Sequence, residues 1–180
     1  MFIIATMLYL VGPILLIIAL VQGSIRFGPS ILFILFSYIF VLLSVLQGGV
    51  LAFAPVDFSY HDTWFVTGHE HYAMFGGLVF AIFGGTYELL AKRRNSISCT
   101  WMGYTHFLLT LLTTVVLFWS YSVVGLNGMP RLLADYATIF EPYHSANTYL
   151  TIVLLFSQLL FIAAITISLF GRKQMTNDSN

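Results

Sequence analysis

The chain has 180 residues, of which 59% are apolar, 17% aromatic and only 8% charged, with a formal net charge of zero and a mean hydropathy of +0.91. So little charge cannot coat a water-soluble globule, and the apolar length exceeds what one core can use, so the composition defines an integral membrane protein. The balanced charge excludes a nucleic-acid surface or a charged interaction tail, and a single cysteine, Cys99, excludes an internal disulfide framework.

Five apolar segments reach the length, about 20 residues, that a helix needs to cross a bilayer. They cover residues 1–24, 30–54, 65–91, 101–124 and 146–170. Lipid cannot satisfy backbone N–H and C=O groups, so each segment is expected to be a helix. The result is one all-α membrane domain over residues 1–171, with a polar tail at 172–180. The first segment starts without a basic n-region and runs into VQGSIRFGP, not a small-residue cleavage site, so no separate signal peptide is expected. Gly12 and Pro13 predict a kink within it. GSIRFGPS makes the turn to the second segment, HDT precedes the third, and the longer loop GLNGMPRLLADYATIFEPYHS separates the fourth from the fifth.

Positive charge orients the bundle. Arg26 follows the first segment, Lys92, Arg93 and Arg94 follow the third, and Arg172 and Lys173 follow the fifth, so six of the seven basic residues fall at ends that belong on the cytoplasmic side. The N-terminus is then expected outside and the C-terminus inside. The loops with Asp57, His61, Asp62, Asp135 and Glu141 lie on the outer face. Arg131 breaks the pattern, and a cation there needs a local anionic partner.

The densest polar chemistry is HDTWFVTGHEHY, residues 61–72, at the outer end of the third segment. His69 and His71 lie one to two turns inside it, roughly 5 to 10 Å along the axis. Two residues of α-helix turn the chain by about 200°, so the imidazoles face opposite sides and cannot chelate one metal. The four-residue spacing of a zincin is absent. A single intramembrane histidine can serve merely as a hydrogen-bond partner for a neighbouring helix. Two in three positions, with Glu70 between them, point instead to two sites, one on each flank, because polar groups are costly in hydrocarbon unless used.

HDTWFVTGHEHY resembles the pattern HDTYFVVAHFHY in subunit I of the heme-copper terminal oxidases. Upstream, the stretch from SIRFGPS through LQGGVLAFAPVDFSYHDT is similar to that family's segment leading to the same HDT. Downstream, YTHFLLTLL and GLNGMPRLLADY resemble its IHFWLTF and GLAGMPRRIPDY. The likeness covers almost the whole chain and implies the last five helices of the subunit I fold. It implies His69 as the proximal ligand of the high-spin, oxygen-binding heme and therefore the catalytic residue. His71 becomes an axial ligand of the low-spin heme that delivers electrons. His61 and Asp62 are implied as magnesium ligands, Asp57 as an acid beside a heme propionate, and Arg131 as a propionate-binding guanidinium, a group suited to carboxylates by its two parallel donors.

The chain also departs from the pattern. Leu132 replaces a second arginine, and Glu70 replaces an aromatic residue between the two ligands, where it is expected to be buried and bonded to a neighbouring helix rather than to transfer protons. No lysine stands near Gly12, where many relatives carry one; the hydroxyls of Thr6 and Tyr9 could hold a water chain there or simply pack. His106, toward the inner end of the fourth segment, reads as structural, and His144, just before the fifth, as a surface residue. The three copper-ligating histidines of the family are missing.

The resemblance leaves two readings open. In one, the chain is the C-terminal half of a split oxidase subunit I that reduces dioxygen to water in an aerobic respiratory chain. A partner chain then supplies the N-terminal helices and the copper ligands. Its cofactors are two hemes, a copper centre completed by the partner, and magnesium. Its other partners are further oxidase subunits, the bilayer of an energy-transducing membrane, bacterial or mitochondrial, and a cytochrome, cupredoxin or quinol as electron donor. In the alternative, it is a non-catalytic paralogue that binds heme or packs as an accessory or assembly subunit.

Overall fold

A computed structural model describes residues 11, 12, 14, 17, 18, 21–23, 27–94, 100–133 and 135–170. Among these residues the fold is an all-helical membrane bundle without strands. Four helical runs are long and apolar enough to cross a membrane: Pro29–Leu51, Trp64–Lys92, Trp101–Leu126 and Thr138–Phe170. They correspond to the second to fifth expected segments. The described residues of the first segment at 11, 12, 14, 17, 18 and 21 are helical. Residues 22 and 23 form a turn, with Gly23 at φ 65°, while the other residues of the segment, Thr6, Tyr9 and the expected kink at Pro13 among them, lie outside the described residues, as does the tail at 172–180.

Helix α1 spans Pro29–Leu51, with Pro29 at a first-turn position where its missing N–H costs nothing. Its inward stripe, Phe33, Ser37, Phe40, Ser44 and then Gly48, follows the three-to-four spacing of one helix face. The expected second segment ran on to 54, but α1 stops at Leu51 and a separate short helix, α2, covers Ala54–Tyr60. Pro55 has no N–H to offer the Leu51 carbonyl, so an uninterrupted helix would lose that bond.

Thr63 then caps helix α3, Trp64–His71, its hydroxyl accepting from the Phe65 N–H at 3.3 Å. From α3 the chain passes without a break into a π-helical segment, Tyr72–Val79, and on into α4, Phe80–Arg94. Helix α5 covers Thr100–Leu126, and a 3₁₀ turn, Thr138–Phe140, leads into α6, Glu141–Phe170. Helix α6 begins five residues earlier than expected. Glu141 and Pro142 are both favourable in a first turn, an acid for the helix dipole and a proline for its fixed φ.

The half of the bundle away from the HDT stretch is an aromatic cluster. Phe33 stacks on Tyr87 with centroids 5.9 Å apart and meets Phe80, Phe83 and Phe107 edge-on at 5.1 to 5.3 Å. His106 sits fully buried in this cluster, its Nδ1 3.0 Å from the Tyr87 hydroxyl and its ring stacked on Phe161. That is a packing role, remote from His69 and His71. On α6, Ile152, Leu155, Phe156, Leu159 and Ile162 are exposed, an arrangement tolerable in lipid or against further helices but not in water.

Candidate functional site

The end of the bundle that carries the HDT stretch is strapped together by backbone. The Trp64 N–H donates to the Met129 carbonyl at 3.0 Å, the Arg131 N–H donates to the Asp62 carbonyl at 2.8 Å, and Thr63 and Pro130 form an isolated bridge. The loop after α5 thereby lies across the entrance to α3 and fixes Arg131 beside the HDT stretch. Helices α3 and α5 approach closely because residue 125 is glycine; a Cβ there would overlap the Phe65 backbone.

The histidines of α3 are half-buried and face different neighbours. His69 turns toward α1. Its Nδ1 lies 3.2 Å from the Ser44 hydroxyl, which also donates to the His69 carbonyl at 3.2 Å. A hydroxyl has one proton and a carbonyl only accepts, so the assignment that satisfies both contacts puts the ring proton on Nδ1 and leaves the Nε2 lone pair free. Gly48 makes room for this ring, since a Cβ at that position would stand 3.0 Å from His69 Cε1.

His71 turns toward α5, edge-on to Phe118 at 5.4 Å and to Tyr121 at 5.3 Å. Its Nδ1 donates to the Thr67 carbonyl, one turn back, at 2.7 Å. Here too Nε2 is left as a lone pair. Because α3 remains α-helical through His71, the rotation expected from the sequence applies, and the two imidazoles present ligand nitrogens on opposite flanks.

Beside His71 runs a groove of about 380 Å³ lined by Glu70, His71, Met74, Phe75, Leu78 and Val79. Its walls below His71 are apolar and its outer rim is charged. Glu70 is not buried as the sequence suggested; its side chain is 59% exposed and its Oε1 lies 3.8 Å from Arg131 Nη1. Glu70 is therefore the anionic partner that Arg131 required. Arg131 Nε is buried without a hydrogen-bond partner among the described residues, but the side chain as a whole is 31% exposed and Glu70 approaches only Nη1, so the guanidinium keeps surface N–H groups for a second anion. An imidazole lone pair, an apolar wall and a partly exposed guanidinium next to the rim residue Glu70 would suit a flat apolar macrocycle with an anionic edge.

The remaining predicted residues gather on the outer surface. His61 Nδ1 donates to the Asp57 carbonyl at 2.9 Å and its Nε2 lies 2.9 Å from Asp62 Oδ2. All three residues are exposed. Among the described residues, no three His, Cys, Asp or Glu side chains come together as a metal-holding group, so His61 and Asp62 form a pair rather than a complete metal site. His144 contacts the Met129 sulfur at 3.1 Å and packs on Tyr136 at 4.3 Å. Leu132 is exposed and adopts a left-handed backbone, φ 64°. Sequence reasoning missed Ser44, Gly48, the Thr67 carbonyl and the π segment. The four-residue step from Ser44 to Gly48 on α1 carried the only local signal for any of them.

Fold and site together define a helical membrane protein with two half-buried imidazoles on opposite flanks of one helix, near one end of the bundle. The family described as Cytochrome C and Quinol oxidase polypeptide I matches residues 1–166, and the chain belongs to it. Among its relatives are cytochrome c oxidase subunit 1 of Thermostichus vulcanus, 38% identical over 78% of the chain and 25% of the relative, and that of Synechocystis sp., 34% identical over 86% and 28%. The subunit 1 of Cereibacter sphaeroides is 32% identical over 86% of the chain and 27% of its own length. The chain thus spans about a quarter of each of these relatives.

Proposed function

We propose that this chain supplies the C-terminal helices of a heme-copper oxidase that reduces dioxygen to water, working with a partner chain that carries the N-terminal helices and the copper ligands. The observation that carries the reading is the pair His69 and His71, half-buried on opposite flanks of α3, each with Nδ1 committed to an oxygen and Nε2 left for a metal. When bound, heme would supply electron transfer on the His71 side and oxygen chemistry on the His69 side. His69 is then the catalytic ligand, oriented by Ser44, and His71 the ligand for electron delivery, oriented by the Thr67 carbonyl. Second-shell bonds of this kind fix the tautomer and aim the lone pair.

Arg131 binds a propionate through the exposed part of its guanidinium, with Asp57 at the same end of the bundle. His61 and Asp62 contribute to a magnesium site whose remaining oxygen ligands come from water or the partner, since magnesium needs six. The copper ligands come from the partner chain; within this chain His106 meets Tyr87 and His144 meets Met129. The complex resides in an energy-transducing membrane and takes electrons from a cytochrome, cupredoxin or quinol.

Metal analysis and oxygen uptake test the division of labour. The purified chain by itself should hold no stoichiometric copper and consume no oxygen, while the complex with its native partner should do both. Oxygen reduction by the isolated 180-residue chain overturns the proposal.

The orientation proposed places Lys92 inside and Arg131 outside. A Leu132→Cys label in a Cys99→Ser background, at a position 92% exposed, should react with an impermeant reagent only from the outer face. Labelling only from the cytoplasmic face refutes this orientation.

A further inference from the structure

We propose that Glu70 is a positioning residue that shares Arg131 with the anionic edge of the heme bound in the His71 groove, and that its charge lowers the reduction potential of that heme. The inference rests on the functional reading above and deepens it.

Glu70 is one residue from His71 and lines the same groove, on its outer rim. The bland interpretation is an ordinary surface salt bridge that ties the loop after α5 to α3 and adds little to stability. Two observations argue for more. At 3.8 Å the Glu70 to Arg131 contact is an electrostatic approach rather than a hydrogen-bonded fork. The Arg131 side chain is 31% exposed and Glu70 approaches only its Nη1, so Glu70 occupies only part of the guanidinium. The backbone of Arg131 is held by the Asp62 carbonyl, which fixes the point from which its side chain reaches toward Glu70.

The guanidinium therefore stands between two anions, with Glu70 near Nη1 and a carboxylate of the ligand on its remaining exposed N–H groups. No second arginine follows, since the next residue is Leu132, pointing outward. One cation facing two anions leaves net negative charge at the rim. Negative charge close to an iron favours the ferric over the ferrous state, so the reduction potential falls.

Redox titration of the assembled complex, with each heme followed by its own absorption, tests this. Glu70→Gln keeps the shape and removes the charge, and should shift the midpoint of the low-spin heme upward. Arg131→Gln should shift it downward. Glu70→Asp, which keeps the charge, should stay near the wild-type value. An unmoved midpoint in Glu70→Gln, with or without a loss of thermal stability, makes Glu70 a structural tie and overturns the inference. Equal shifts in Gln and Asp variants overturn it as well, because charge would not be the cause. A wild-type complex with no low-spin heme sinks this inference and the functional reading together, whereas a low-spin heme with an unmoved midpoint sinks the inference alone.

Discussion

In the assembled complex, His71→Ala should abolish the spectrum of a six-coordinate low-spin heme, whereas His69→Ala should loosen the heme that binds carbon monoxide and leave the low-spin signal reducible. The asymmetry follows from the flanks. His71 lies over the groove beside Phe118 and Tyr121 of α5, and His69 lies against Ser44 and Gly48 of α1. No regular α-helix lets the two side chains exchange places, so neither can rescue the loss of the other. If both histidines only held helices together, each alanine variant would lose about one hydrogen bond, roughly 0.5 to 1.5 kcal/mol. Both variants would then keep an unchanged heme complement. Optical spectra of the two variants, reduced and with carbon monoxide, separate these outcomes. Two intact heme signals in each variant rule out axial ligation by either residue.

Much of this geometry was legible because a bilayer allows few backbone solutions. An apolar run of spanning length must be a helix, which is why the second to fifth segments appear close to their expected positions. The opposed faces of His69 and His71 were legible for the same reason, since the rotation per residue of an α-helix is fixed. The π segment begins only at Tyr72; had it started before His69, the angle would have been wrong. Its presence depends on how residues 72–79 meet α1, where Gly76 and Gly77 lie under Phe40 and Val41, and hydropathy carries no such information. The break between Leu51 and Ala54 did carry a signal in Pro55, but the apolar run continues past it and hides the stop.

Glu70 was misread for a different reason. A carboxylate between two intramembrane histidines suggests burial, yet its exposure depends on which flank of α3 meets the loop after α5. That loop is placed by the Trp64 to Met129 and Arg131 to Asp62 bonds, which join residues more than 60 positions apart in the sequence. Ser44 was invisible in the same way: nothing local to SVLQGG announces that its hydroxyl will meet a ring from the next span. Ligand residues can be recognised by type, whereas the groups that orient them are ordinary residues made important by tertiary contact.

The close crossing of α3 and α5 makes Gly125 the most sensitive position outside the ligands. A Cβ at Gly125 would overlap the Phe65 amide and approach the carbonyl carbon of Trp64 at 2.6 Å. The obstructing atoms are backbone on both sides, so a rotamer change cannot relieve the clash. Gly125→Ala must pry apart the start of α3 and the end of α5, which overpacking data put at about 3 kcal/mol or more. The displacement would pull Trp64 from Met129, unseat the strap that holds Arg131, and lift His71 from Phe118 and Tyr121. The expected result is a large loss of thermal stability together with loss of the low-spin heme, while both histidines remain in the sequence. Gly85→Ala on α4 is the control, because nothing lies within 4 Å of a Cβ there and alanine is the better helix former by about 1 kcal/mol. Gly85→Ala should be neutral or slightly stabilising with an unchanged spectrum. If Gly125→Ala matches it in melting temperature and heme content, the α3–α5 crossing is looser than described, and the positioning of Arg131 over the groove fails with it.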